Sequence, residues 1–170
     1  CPQCGSQRLK SSGVGTQRVE DELERLFPQA RLLRMDADTT SSRYSYEENF
    51  KAFEKGEYDI MLGTQMIAKG LNFPNVTMVG VISLDKALFT GDFRSYERTF
   101  SLLTQVAGRS GRGDKPGVAY IQTFVPDHYV LNLAAEQNYD EFYKEEIALR
   151  KSLTYPPFCD ICVIGFSAPL

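Results

Sequence analysis

The sequence predicts an α/β domain with a mostly parallel sheet flanked by helices. Three observations carry that prediction. Short apolar, β-branched runs alternate with segments whose apolar residues recur at helical spacing. The strongest run, 76–82, is apolar on both faces, as a strand is when helices cover both sides of a parallel sheet. Pro28, Gly56 and Gly63 mark the ends of the first helix, the second helix and the short strand that follows it.

Residues 1–13 are polar and rich in Gly and Ser. A helix is expected from Thr16, a good N-cap, through Val19, Leu23, Leu26 and Phe27, spaced i, i+4, i+7, i+8. Pro28 ends it. Residues 30–35 read as a strand and Asp36-Ala37-Asp38-Thr39-Thr40 as the loop after it. Tyr46, Phe50 and Phe53 mark a second helix, closed by Gly56. Residues 59–62 form a short strand running into a Gly63-Thr64 turn, and 76–82 the clearest buried strand. A helix is expected over 96–109, another buried strand over 118–124, and two helices over 128–137 and 139–151. Tyr139, Phe142, Tyr143, Glu146 and Ile147 trace the last of these. Tyr155-Pro156-Pro157-Phe158 breaks the pattern, and 161–166 reads as a new strand. Ligands of parallel sheets bind beyond the carboxyl ends of strands, so chemistry is sought in the loops after Leu62, Ile82 and Phe124.

The chain has 170 residues, 42% hydrophobic and 24% charged, which suits one ordinary globular domain and the start of another. No apolar run approaches the ~20 residues that span a bilayer. Cys1 in place of Met, with no signal peptide, is expected of a piece cut from a longer chain. A net charge of -3 argues against a freestanding basic nucleic-acid binder but not against a domain touching a few phosphates.

The most informative stretch is Gln105-Val106-Ala107-Gly108-Arg109-Ser110-Gly111-Arg112-Gly113. At ~100° per residue Gln105, Arg109 and Arg112 fall within about 60° of one another, opposite Phe100, Leu103, Val106 and Ala107. Gly108 and Gly111 remove side chains beside the arginines, so a backbone or phosphate can approach. Arginine suits phosphate because its planar, permanently charged fork donates two hydrogen bonds at once. Helix geometry alone leaves a solvated basic face and a phosphate-facing one both open. Further upstream, Gly63-Thr64 follows a strand and precedes a short helix. That arrangement reads either as a capped turn or as a phosphate site of backbone amides and a hydroxyl.

Gln105-x-x-Gly108-Arg109-x-Gly111-Arg112 resembles motif VI of superfamily-2 helicases, and Gly63-Thr64-Gln65-Met66-Ile67-Ala68-Lys69-Gly70-Leu71-Asn72-Phe73-Pro74 resembles their motif V. Asp92-Phe93-Arg94-Ser95-Tyr96-Glu97-Arg98-Thr99, Gly13-Val14-Gly15-Thr16, Arg34-Met35-Asp36-Ala37-Asp38-Thr39-Thr40 and Tyr155-Pro156-Pro157-Phe158 are similar to the replication-restart branch of that family. In order, these matches cover nearly the whole chain. The resemblance implies a RecA-like helicase C-terminal lobe at 13–152, preceded by the end of a zinc-binding insertion at 1–12 and followed by the start of a C-terminal domain at 153–170. It implies an ATP-driven 3′-to-5′ DNA helicase of replication restart and primosome assembly. ATP and Mg2+ would be held mainly by another lobe, since the chain lacks Gly-x-x-x-x-Gly-Lys-Ser/Thr and an Asp-Glu box.

By the same resemblance Arg112 is the arginine finger, Arg109 a second γ-phosphate contact and Gln105 a polar link near that phosphate or its attacking water. Thr64, Gln65 and Lys69 would touch the backbone of one DNA strand, and Gly70 would allow close approach to nucleotide or DNA. Relatives carry Asp where this chain has Asn72, so Asn72 is the weaker nucleotide-side candidate. Implied partners are forked or single-stranded DNA, single-stranded-DNA-binding protein and other primosome proteins, in a bacterial, nucleoid-associated cytoplasm. Two other readings are another superfamily-2 translocase lobe and a non-catalytic nucleic-acid or zinc-binding module. The 92–99 linker and the Cys-Pro-x-Cys-Gly start speak against both.

Cys1-Pro2-Gln3-Cys4-Gly5 has the shape of half a zinc knuckle, because a structural zinc needs four ligands and this pair offers two. Cys159-Asp160-Ile161-Cys162 opens the strand expected at 161–166. Positions three apart on a strand point to opposite faces, so buried thiols are expected there rather than ligands. His128 is expected at a helix start.

Overall fold

In the computed structural model the described residues are 15–36, 43–64 (43–45 by backbone alone), 67, 73, 75–107 and 117–167. They belong to two compact units, one within Cys1–Leu71 and one within Asn72–Leu170.

The first unit contains α1 (Thr16–Leu26), β1 (Leu32–Met35), α2 (Arg43–Glu54) and β2 (Ile60–Gly63). β1 and β2 pair in parallel, with Leu32 opposite Ile60 and Met35 opposite Gly63. Leu33 and Met35 are buried on one side of β1. The N-cap of α1 is Gly15, in extended backbone, and not Thr16, which is the first helical residue. The Thr16 hydroxyl is engaged elsewhere: it donates to Asp36 Oδ2 at 2.6 Å. Arg34 reaches Glu20 at 2.7 Å and the same Asp36 oxygen at 2.8 Å. Hydrogen bonds to Glu20 and then Asp36 hold the Arg34 pKa well above its ordinary value. Asp36 is thereby part of the structural bond between α1 and β1. α2 closes as expected on Gly56, whose φ of 77° is one that glycine adopts without strain. Gly56 N donates to Phe53 O and Glu57 N to Ala52 O, satisfying two terminal carbonyls. Gly63 has a different reason to be glycine. A Cβ there would collide with the Met35 carbonyl oxygen, so only a bare backbone lets β2 end against β1.

The second unit contains β3 (Met78–Val81), α3 (Leu84–Leu88), α4 (Ser95–Ala107), β4 (Val118–Ile121), α5 (Tyr129–Ala135) and α6 (Tyr139–Ser152). β3 and β4 are parallel, Met78 opposite Val118 and Val81 opposite Ile121. The core joins Leu84, Leu88, Phe100, Leu103, Val130, Ala134 and Phe142. The rings of Phe100 and Phe142 stack at 4.1 Å, fixing α4 on α6.

Four expectations are corrected here. Burial alternates along β3 and β4, and Met78 and Tyr120 are 65% and 62% exposed. β-branching marked these strands rightly but does not say how many layers cover them. β4 ends at Ile121, leaving Phe124 exposed. Residues 161–166 form no strand: a strand is made by pairing, and among the described residues this segment pairs with none. Cys159 is half-buried and Cys162 exposed, so they are not the buried thiols expected; Cys159 Sγ donates to the Thr154 carbonyl.

His128 stands where a helix start was expected. It is the N-cap of α5, and its Nδ1 accepts from Val130 N at 3.3 Å. Its ring packs against Tyr96 and Tyr129, and burial lowers its pKa below 6.5. The folded chain therefore keeps the imidazole neutral where the unfolded chain would protonate it, and protonation removes the acceptor. This contribution is complete above pH 6.5 and is lost as pH falls through the lowered folded-state value. Urea unfolding from pH 7.5 to about 5 is expected to show a loss of stability that His128→Asn, which still caps, largely removes. Identical pH profiles for the two proteins would contradict this role.

Candidate functional site

At the carboxyl end of β2, Thr64 is exposed, and its carbonyl accepts from Ile67 N at 3.1 Å to close a turn. The hydroxyl thus sits at the kind of strand end where parallel pairs bind ligands. Gln65, Lys69, Gly70 and Asn72 lie outside the described residues, as do Asp38, Cys1 and Cys4.

α4 is built by its entry turn. Asp92 Oδ1 accepts from Arg94 N at 2.9 Å, and the Asp92 carbonyl accepts from Ser95 N. The Arg94 amide, followed by the Arg98 charge, holds the Asp92 carboxyl below its usual range. From that start the helix divides as its periodicity predicts. Thr99, Phe100, Leu103 and Val106 are buried, while Arg98 and Ser101 are exposed on the other side. Gln105 is half-buried on that second side, and its Nε2 donates to Ser101 Oγ at 3.2 Å. A neutral amide there can turn between Ser101 and a ligand without leaving a charge buried. Gly108, Arg109, Gly111 and Arg112 follow α4 in sequence and lie outside the described residues. Thr64 belongs to the first unit and Gln105 to the second.

At the carboxyl ends of β3 and β4 the loops are tied to each other. Asp85 accepts from Thr123 Oγ1 at 2.9 Å and from Phe124 N at 3.1 Å. Burial would raise the Asp85 pKa, but the Phe124 amide, the Thr123 hydroxyl and Asp85's own amide outweigh it and the net shift is downward. Ser83 takes a left-handed backbone, φ 56°, and its amide donates to Gln122 Oε1. Here the polar side chains serve the fold.

One cluster was missed from sequence. Arg150 on α6 donates to Glu97 Oε2 on α4 and to Glu146 Oε1, both at 2.9 Å. Its guanidinium lies 5.3 Å from the centroid of the Phe93 ring and donates to the Pro156 carbonyl at 3.5 Å. Tyr129 donates to the other oxygen of Glu146. Arg94, then burial against the pull of Arg150, sets the Glu97 pKa down to about 2. Burial alone would lower the Arg150 pKa, but the hydrogen bonds to Glu97 and Glu146 raise it. Burial, with Glu146 beside it, pushes the Tyr129 hydroxyl well above its ordinary range. The Glu146-Arg150 spacing of four on one helix was a legible signal. Nothing local points from Arg150 to Glu97.

No group of three or more His, Cys, Asp or Glu side chains that could hold a metal occurs among the described residues. Nor, among them, is any helix long and apolar enough to cross a membrane.

The helicase conserved C-terminal domain family matches residues 12–114. Replication restart protein PriA of Bacillus subtilis (strain 168) is 52% identical over 167 residues, covering 98% of this chain and 21% of that protein. PriA of Chlamydia trachomatis is 49% identical over 159 residues, covering 93% and 21%. Among solved structures, the yeast DEAD-box splicing factor Prp28 is similar with a TM-score of 0.40 and 18% identity, over 86% of this chain and 31% of that one. The chain thus spans about one fifth of the length of the curated relatives it matches.

Proposed function

The chain belongs to the helicase conserved C-terminal domain family and is similar over nearly its whole length to replication restart protein PriA, and from that premise we propose that it is the second motor lobe of an ATP-dependent 3′-to-5′ DNA helicase of replication restart. The observation that carries the reading is α4. Its buried face is fixed on the core, and its opposite, polar face carries Gln105, which stands in sequence shortly before Gly108-Arg109-x-Gly111-Arg112.

ATP, when bound, supplies a γ-phosphoryl group whose departure creates negative charge. Arg112 neutralises that charge, Arg109 makes a second contact to it, and Gln105 orients the polar surroundings of the attacking water. Asn72, with Gly70, faces the nucleotide as a hydrogen-bonding group without charge. Thr64, Gln65 and Lys69 hold the phosphates of one DNA strand, which fixes the register without reading sequence. Closing and opening of the cleft between two lobes would then move these contacts along the strand. The Walker-type phosphate loop and the Mg2+ ligands belong to the other lobe. Zinc would be held in part by Cys1 and Cys4, as thiolate ligands of a structural site, and primosome proteins would assemble on the whole helicase in the bacterial cytoplasm.

The test is strand displacement by the full-length protein on partial duplexes with one single-stranded tail. ATP-dependent unwinding is expected with a 3′ tail and not with a 5′ tail. The opposite polarity, or unwinding without ATP, would overturn the reading.

A further inference from the structure

We propose that Arg150 is a positioning residue for the Gln105-bearing face of α4, setting the pose of α4 against α6 and the turn at 155–158. One guanidinium meets four pieces of chain: Phe93 before α4, Glu97 within it, Glu146 on α6 and the Pro156 carbonyl after α6. The Arg150 side chain is only 14% exposed. Only a planar fork with donors on several edges serves such a junction, and a lysine ammonium does not span it. Thr99, two residues beyond Glu97, is fully buried, and its hydroxyl has no partner among the described residues, so among them the polar anchor of this stretch of α4 toward α6 is Glu97. The anchor acts at a distance. Gln105 lies eight residues further on, roughly 12 Å along the helix, so a tilt of about 10° at the anchor displaces it by roughly 2 Å. Displacements of about 1 Å cost catalytic sites on the order of a hundredfold. The same guanidinium holds the turn at the double proline, so strain on the chain beyond that turn reaches α4 through Arg150.

The inference rests on the proposed role of the arginine face, and the experiment separates the two. In the full-length helicase, DNA-stimulated ATP hydrolysis is measured for Glu97→Gln, Arg150→Lys, the pair combined, and Arg112→Ala. Glu97→Gln leaves Arg150 bound to Glu146, so the fold is kept. It is expected to lower kcat about fivefold or more, with KM for ATP and DNA affinity within about twofold of the parent. Arg150→Lys behaves alike, and the combination adds little to either, because both act through one contact. If Arg112→Ala is inactive while Glu97→Gln keeps parental kcat, the positioning role is wrong and the arginine assignment stands. A kcat loss that merely tracks the unfolded fraction also overturns it. If Arg112→Ala turns over normally, the proposed function itself fails.

Discussion

Replacing Arg112 by alanine is expected to lower DNA-stimulated ATP hydrolysis by the full-length helicase at least ~10³-fold, with DNA affinity within about twofold of the parent. The size follows from where the charge acts. An arginine inserted at the γ-phosphate meets charge that develops only in the transition state, in a cleft where water does not screen it. DNA affinity is spared because the proposed DNA contacts lie elsewhere, at Thr64, Gln65 and Lys69. Arg112→Lys keeps the charge but loses the two-pronged fork, so it should recover only a small part of the rate. Steady-state phosphate release with saturating DNA, beside fluorescence anisotropy of a labelled DNA strand, reads both quantities. Parental turnover in Arg112→Ala would remove this residue from its role.

Removing the Arg150 guanidinium is expected to destabilise the second unit by about 3–5 kcal/mol, measured as Arg150→Met in urea unfolding. The cost comes from what is left behind. Glu146 is 8% exposed and would keep a buried carboxylate that, among the described residues, has only the Tyr129 hydroxyl against it. Glu97, 40% exposed, can turn to water and still reach Arg94. Arg150→Met combined with Glu146→Leu should therefore recover much of the loss, since apolar groups of similar volume replace a buried pair at little cost. Arg31 offers the contrast. Its side chain makes as many hydrogen bonds, to both oxygens of Asp59 and to the Gly56 carbonyl, but the Arg31 and Asp59 side chains are 55% and 46% exposed. Arg31→Met should cost far less than Arg150→Met, because water already screens the exposed pair. Equal costs at the two arginines would contradict the burial argument.

What the sequence disclosed was what neighbours along the chain decide. Within α4, the spacing of Phe100, Leu103 and Val106 placed the buried face and so placed Gln105 opposite it. The alternation of strands and helices foretold both parallel pairs, and Gly56 marked the end of α2. The failures all involve partners distant in sequence. Thr16 looked like a cap until Asp36, twenty residues on, took its hydroxyl. α3 has five residues, too few for a periodic signal, and is held by Thr123 and Gln122 near β4. Residues 161–166 have strand composition but no strand beside them among the described residues. The site divides the same way: Gln105 was read from its own helix, whereas Arg150 meets Glu97 across 53 residues and was not found. Arg109 and Arg112 were read from a motif, and their geometry is outside the described residues.

That this chain acts on ATP only as one half of a motor is tested most directly by phosphate release from the purified 170-residue chain, shown folded by circular dichroism. With saturating ATP and Mg2+, release is predicted to equal the blank both with and without single-stranded DNA. DNA-stimulated turnover by the isolated chain would contradict it.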